Sequence, residues 1–198
     1  MEIIFATQNK HKAEELRLIL PGHRIYTPDD IGVDFDYEET GNSFLENSMG
    51  KAKALYGITR KAVIADDSGL SVPALNGEPG IYSARYGMEE KGRMLEAEER
   101  NLYLLDKMKE IRNREAYFVC CMTLILSPER FFTVQETMEG IIASEPAGVN
   151  GFGYDPLFFL PGYGKTVAEI PEEEKNRISH RGRAGRRIAA ILDSLEQN

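Results

Sequence analysis

Ala62-Val63-Ile64-Ala65-Asp66-Asp67-Ser68-Gly69 runs from an apolar stretch straight into two carboxylates. The apolar part predicts a short buried strand over residues 62–66. Carboxylates at the end of such a strand, followed by Ser-Gly, belong at the mouth of an α/β sheet, where ligands bind. Working backwards, residues 3–7 predict a first strand and residues 9–20 a helix with Ala13, Leu16 and Leu20 on one face. Pro21-Gly22 stops that helix. Ser43 and Glu46 have capping-box spacing and open a second helix through Lys51 and Leu55, ending near Gly57.

Working forwards, the Gly- and Pro-rich residues 73–87 predict a loop, and residues 93–111 a helix with Leu95, Leu102, Leu105 and Met108 inward. Residues 115–126 and 131–142 predict two strands turning at Ser127-Pro128-Glu129-Arg130. Residues 157–160 suggest one more strand. Ala184, Ile188, Ile191, Leu192 and Leu195 place a final amphipathic helix at the C-terminal end. Strands and helices interleave early and a hairpin intrudes in the middle. The expectation is an α/β fold: an elongated mixed β-sheet with flanking helices, forming two lobes around a central cleft.

Composition narrows the function. At 198 residues the chain is long enough for one domain, or two lobes sharing a core. Its longest apolar stretches are too short to span a bilayer, and Met1-Glu2-Ile3-Ile4-Phe5 begins with a strand pattern rather than a leader. A net charge of −8 argues against a general nucleic-acid surface, so any polyanion must be held by a local basic patch or a metal. Cys120 and Cys121 are adjacent in a strand pattern and point to opposite faces, which disfavours a disulfide between them and suits a reducing cytoplasm.

Several stretches can carry chemistry. The first strand runs into Thr7-Gln8-Asn9-Lys10-His11-Lys12, where Thr7 and Asn9 are good N-caps and the following N–H groups suit an anion. Simple capping with a solvated lysine explains the same residues, and the glycines of a Walker loop are absent. Glu38-Glu39-Thr40-Gly41 supplies a second acidic site. Glu39 and Asp67 are the candidates for holding Mg²⁺, a hard cation that takes oxygen ligands and usually serves phosphate chemistry. Glu38 and Asp66 are read as neighbours, as easily loop solvation or a turn cap. Lys51 and Lys53 lie on the second helix, where most lysines face solvent.

Around Gly148, Gly151 and Gly153, the rings of Phe152 and Tyr154 offer faces for stacking on a base, and Asp155 can accept from ring N–H groups. Residues 175–187 carry six basic side chains and no acidic one. Ser179 reads as an N-cap, which sets His180 and Arg181 in a first helical turn, against the helix dipole. Residues placed against local electrostatics often have another task, such as contact with a phosphate or a base oxygen. His11 and His23 have no matching partners as catalytic groups and read as surface residues.

Taken together, Ala-Thr-Gln-Asn-Lys-His-Lys at 6–12, Glu-Glu-Thr-Gly at 38–41, Glu-Asn at 46–47, Ala-Asp-Asp-Ser-Gly-Leu at 65–70, Pro-Gly-Ile-Tyr-Ser-Ala-Arg-Tyr at 79–86, Phe-Gly-Tyr-Asp-Pro-Leu-Phe at 152–158 and Ser-His-Arg-Gly at 179–182 resemble the inosine/xanthosine triphosphate pyrophosphatase family. The motifs appear in order over nearly the whole chain. The resemblance implies one nucleotide pyrophosphatase domain over residues 1–198 and a cytoplasmic, Mg²⁺-dependent homodimer. It implies cleavage of ITP, dITP and XTP to the nucleoside monophosphate and pyrophosphate. Carried over by position, Thr7, Gln8, Asn9, Lys10, His11 and Lys12 would cradle the triphosphate. Glu39 and Asp67 would hold Mg²⁺, with Asp67 as general base or as metal ligand alone. Ser68 would touch phosphate or sugar, Phe152, Gly153, Tyr154 and Asp155 would meet the base, and Lys175, His180 and Arg181 would complete the pocket, with Lys51 a lesser addition. The rival readings are a pyrophosphatase for altered pyrimidines of the Maf type and a non-catalytic nucleotide sensor. No stable nucleic-acid or membrane partner is expected.

Overall fold

The computed structural model describes residues 1–196. In chain order the elements are β1 (Glu2–Phe5), α1 (Lys10–Ile19), β2 (Arg24–Tyr26), α2 (Phe44–Thr59), β3 (Val63–Ser71), α3 (Met88–Lys91), α4 (Ala97–Lys107), β4 (Glu115–Ser127), β5 (Arg130–Ile142), β6 (Phe158–Leu160), β7 (Lys165–Thr166), α5 (Glu172–Ile178) and α6 (His180–Glu196), with short 3₁₀ turns between. The seven strands form one sheet in the order β2-β1-β3-β4-β5-β6-β7. β1 pairs parallel with β2 and β3, while β5–β6 and β6–β7 are antiparallel, so the sheet is mixed as expected.

The chain divides into two compact units. Of the described residues, 1–68, 120–136 and 178–196 make the first, and 69–119 and 137–177 the second. In the first unit the sheet is covered on both faces. Ile3, Phe5 and Ile64 pack with Ala13, Leu16 and Leu20 of α1 and Ala184, Ile188 and Leu192 of α6. Ile4, Val63 and Ala65 pack with Ala52 and Leu55 of α2. Alternation along β3 therefore sends even-numbered side chains toward α1 and α6 and odd-numbered ones toward α2. Truncating a fully buried Leu16 or Leu55 should cost about 2–5 kcal/mol. In the second unit Phe118 and Phe158 stack with ring centroids 4.4 Å apart.

The helix starts follow local chemistry. Asn9 caps α1 by accepting from the Lys12 N–H, and Ser43 caps α2 by accepting from Glu46, whose own carboxylate returns to the Asn42 N–H at 2.7 Å. Ser179 caps α6, accepting from the Gly182 N–H at 3.0 Å.

Other boundaries differ. β3 does not stop at the carboxylates but runs nine residues through Asp66, Asp67, Ser68 and Gly69. α2 passes Gly57 and ends at Arg60, which takes the left-handed cap conformation. α4 starts later than expected, at a capping box of Glu96 and Glu99, which turns Leu102 to solvent and buries Asn101 and Leu104 instead. The loop at 73–87 contains two 3₁₀ turns, and β2, β7 and α5 had no clear sequence signal. The His23 ring is tucked in beside the N-terminal amine rather than lying on the surface.

Candidate active site

Because β3 continues through both aspartates, Asp66 and Asp67 face opposite sides of the sheet. Asp66 points toward α1 and α6. It accepts from Lys12 Nζ at 3.2 Å and from Arg181 Nε and Nη2 at 3.2 and 3.0 Å. Arg181 also reaches Glu15 Oε2 at 2.7 Å and Ser68 Oγ at 2.8 Å. Burial pushes the Asp66 carboxyl up, but Lys12, Arg181 and Lys51 outweigh it and hold it far below the usual carboxylate range. Arg181, though fully desolvated, is held firmly protonated by Asp66 and Glu15. This is a neutralised, hydrogen-bonded cluster, the condition under which buried charge is tolerated.

Asp67 points toward α2, and its surroundings differ. Asn47 Nδ2 donates to its Oδ2 at 2.9 Å. Desolvation and the nearby negative charge of Glu39 push the Asp67 carboxyl up to about 6, against the weaker opposing pull of Asn47, Lys12 and Lys51. Glu39 in turn accepts from Lys51 Nζ. Lys51 loses charge stability through burial, but Glu39, Asp66 and Asp67 more than restore it, so its pKa is raised. Glu39 and Asp67 are thus electrostatically coupled on one side of the sheet, with a lysine ammonium drawn to them.

These residues fit a divalent cation in a specific way. Both candidate donors are carboxylate oxygens, and two carboxylates sharing negative charge that a single lysine only partly offsets are what Mg²⁺ uses when phosphates complete its shell. Among the described residues no group of three or more His, Cys, Asp or Glu side chains is placed to cage a metal. A closed protein-only site is therefore not formed; an open one that needs a ligand is compatible with this arrangement.

The residues before and on α1 divide. Thr7 Oγ1 accepts from the Asn9 N–H at 3.1 Å, Asn9 caps the helix, and Gln8 is fixed to the Phe35 carbonyl at 2.9 Å. Lys10 is exposed, and so is His11, with Glu14 at 3.9 Å from its Nδ1. Lys12 alone of this group reaches the acidic cluster. Lys51 turns inward while Lys53 is exposed.

In the second unit, Gly151, Phe152, Asp155 and Lys175 form a compact site of their own. Asp155 Oδ2 accepts from Lys175 Nζ at 2.7 Å and from the Phe152 N–H at 2.8 Å, and the Lys175 ammonium lies 4.6 Å from the Phe152 ring centroid. The turn requires glycine: at φ +73, a Cβ on Gly151 would come within 2.1 Å of Asp155 Oδ2. Phe152 is half-buried. Tyr154 is corrected by the structure. Its ring is buried and its hydroxyl donates to the Ser83 carbonyl at 2.9 Å, so it does not offer a stacking face. The Gly153 carbonyl accepts from Asn101 Nδ2 at 3.1 Å.

The basic stretch at 175–187 is sorted by burial. Lys175, His180 and Arg181 are buried, whereas Arg177, Arg183, Arg186 and Arg187 are exposed. Arg181 is committed to two carboxylates and a hydroxyl rather than held out from the helix end, which also relieves its unfavourable position against the helix dipole. Two residues escaped the sequence reading, and a third had no role assigned. Glu15 gave a faint signal as a charge between the inward-facing Ala13 and Leu16; Asn101 had none; Asn47 stood in the Glu-Asn motif at 46–47 without a function.

A model of the Ham1 family matches residues 3–191. A dITP/XTP pyrophosphatase of Treponema denticola is 52% identical over 184 residues, covering 93% of this chain and 94% of its own length. A dITP/XTP pyrophosphatase of Staphylococcus epidermidis is 42% identical over 193 residues, covering 97% and 96%. Among solved structures, the Staphylococcus aureus Ham1 protein aligns with a TM-score of 0.86 at 41% identity, and a HAM1 protein from Coxiella burnetii with 0.88 at 36%. Each alignment covers 98% of this chain and 99% of the other. The mixed sheet with its flanking helices is the α/β architecture of those structures. This chain belongs to the Ham1 family.

Proposed function

We propose that this protein hydrolyses non-canonical purine nucleoside triphosphates, dITP, ITP and XTP, to the monophosphate and pyrophosphate, and so removes deaminated purines from the nucleotide pool. The observation that carries the chemistry is the coupling of Glu39 and Asp67 beside Lys51. The substrate class is supported by relatives, 52% and 42% identical over nearly the whole chain, that bear the name dITP/XTP pyrophosphatase.

In this reading Glu39 and Asp67 hold Mg²⁺, which when bound neutralises phosphate charge and polarises oxygen. Lys12 and Lys51 add fixed positive charge for the triphosphate. Water attacks the α-phosphorus, the bond from that phosphorus to the α–β bridging oxygen breaks, and pyrophosphate leaves. Asp67 accepts the water's proton at Oδ1, since Oδ2 is engaged by Asn47. Without a bound cation the Asp67 carboxyl is pushed up to about 6 and is still ionised at neutral pH, so it can take up either a cation or a proton. In the second unit Phe152 stacks on the base and Asp155, paired with Lys175, reads its edge. His180 favours a 6-oxo acceptor over the 6-amino donor of adenine, while Arg181 stays committed to Asp66, Glu15 and Ser68. A cytoplasmic homodimer belongs to the same reading. Two buried free thiols suit a reducing compartment, and sedimentation equilibrium tests the dimer.

The decisive experiment measures pyrophosphate release from ITP, XTP, GTP, ATP and dUTP with and without Mg²⁺. Release from ITP and XTP that collapses in EDTA is expected; equal rates on ATP and ITP would remove the specificity. Phe152→Ala should raise KM by about tenfold with kcat little changed, the mark of lost stacking.

A further inference from the structure

We propose that Asn47 is the positioning residue of the metal site: one side-chain amide that fixes the Glu39 loop with its oxygen and orients Asp67 with its nitrogen. The inference rests on the reading that Glu39 and Asp67 hold the divalent ion.

Asn47 lies in the first turns of α2 and is fully buried. Its Oδ1 accepts from the Gly41 N–H at 2.8 Å and its Nδ2 donates to Asp67 Oδ2 at 2.9 Å. The orientation of the amide is not arbitrary. A backbone N–H can only donate, so the oxygen must face Gly41, and the nitrogen is left for the carboxylate. Gly41 stands two residues after Glu39. The next N–H, that of Asn42, is held by Glu46, so successive side chains of α2 pin successive backbone groups of the Glu39 loop. Of the two, only Asn47 continues across to Asp67. One turn further along α2, Lys51 meets Glu39 itself.

The residue type matters. Among the described residues Asn47 is the only hydrogen-bond donor to the Asp67 carboxylate, and it is neutral. It therefore fixes the direction of the carboxylate without cancelling its charge. A lysine or arginine there would supply the neutralisation that Asp66 receives and leave nothing for a cation to gain. An aspartate would set a third carboxylate against the other two. Ligand carboxylates held by such outer hydrogen bonds typically lose about 10–100-fold in metal affinity when the bond is removed. Gly41 fits the same account, since a Cβ there would lie 2.6 Å from Asn47 Oδ1 and 2.7 Å from Glu46 Cβ, disturbing both side chains of α2 that pin the loop.

The test titrates Mn²⁺ into the full chain without nucleotide, read by the loss of free-ion electron paramagnetic resonance signal, with Mg²⁺ competition. Asn47→Ala is expected to weaken binding by at least about tenfold while its thermal unfolding remains cooperative. Its kcat should then recover as Mg²⁺ is raised, which a merely damaged fold would not do. Should Asn47→Ala fail to fold, Gly41→Ala displaces the same amide from outside the helix and must show the same loss. Wild-type affinity in a folded Asn47→Ala, or in Gly41→Ala where that variant carries the test, would overturn the proposal. Asp67→Asn separates the two claims. If it loses Mn²⁺ and Asn47→Ala does not, only the role of Asn47 falls; if Asp67→Asn binds like wild type, the metal reading itself falls.

Discussion

On one face of β3, Asp66 collects a lysine and a bidentate arginine and is held far below the ordinary carboxylate range; on the other, Asp67 receives one neutral amide and the repulsion of Glu39, and is pushed up to about 6. The two residues are adjacent and equally apt by type for catalysis. Their difference is made entirely by what the two helical layers bring to each face. Asp66 is compensated within the fold, so it serves the architecture. Asp67 is left with charge that Asn47, Lys12 and Lys51 only partly answer, and such under-compensated groups are where ligands and protons are handled.

The strongest challenge to this contrast is Asp66→Ala. Removing one partner leaves the buried Arg181 and the half-buried Lys12 without their shared carboxylate, and urea unfolding should show a loss of about 3–5 kcal/mol. A loss under about 1 kcal/mol would mean that the cluster is not structural.

Asp67→Asn should behave oppositely. Pyrophosphate release should fall by at least about 10²-fold, with the unfolding midpoint unchanged or raised, because a repelled charge has been removed. Near-normal turnover would take the proton-accepting role from Asp67.

pH sharpens the comparison through the signs of the two shifts. Asp67 has a folded value near 6 against an ordinary 3.8, so the folded state holds its proton more tightly. In EDTA, its contribution to stability should fall as pH rises from about 4 to 6. Asp66 is shifted the other way. Its contribution is fully present above about pH 4 and is lost as pH drops through its depressed folded value. Denaturation series from pH 3 to 7 should show the first slope in wild type and not in Asp67→Asn. Saturating Mg²⁺ should flatten it.

The smallest effect belongs to Ser43→Ala, which removes the cap of α2 without touching either carboxylate. About 1 kcal/mol of stability should be lost, with kcat nearly unchanged. A large fall in kcat would show that the start of α2 tunes the Glu39 loop more directly than the Asn47 bridge alone.

Much of this arrangement was readable in the chain, and the limits were physical. Capping at Asn9, Ser43 and Ser179 is local chemistry, so three helix starts followed from sequence. The length of β3 did not, because Asp-Asp-Ser-Gly looks like a turn. It stays extended inside the sheet, with Arg181, 115 residues away, neutralising Asp66. Leu102 was misplaced because the cap at Glu96 rotates α4, and a buried Asn101 interrupts its apolar face. Tyr154 looked like a stacking ring, since nothing nearby announces the Ser83 carbonyl that receives its hydroxyl. Glu39 and Asp67 were chosen by residue type and motif; Asn47, which links their surroundings, was visible as part of the Glu-Asn motif but its role was not, because its meaning lies in what it touches.

Cys120 and Cys121 offer an unplanned pair of reporters. Cys120 Sγ lies 3.9 Å from Asp66 Oδ2, and Cys121 Sγ lies 3.4 Å from the Ser48 hydroxyl on α2. Burial raises both thiols, Cys120 far above its ordinary value, so neither is reactive while its layer is closed. Alkylation of each in native buffer, resolved by peptide mass, therefore times the breathing of α1 with α6 separately from that of α2, one residue apart in the chain.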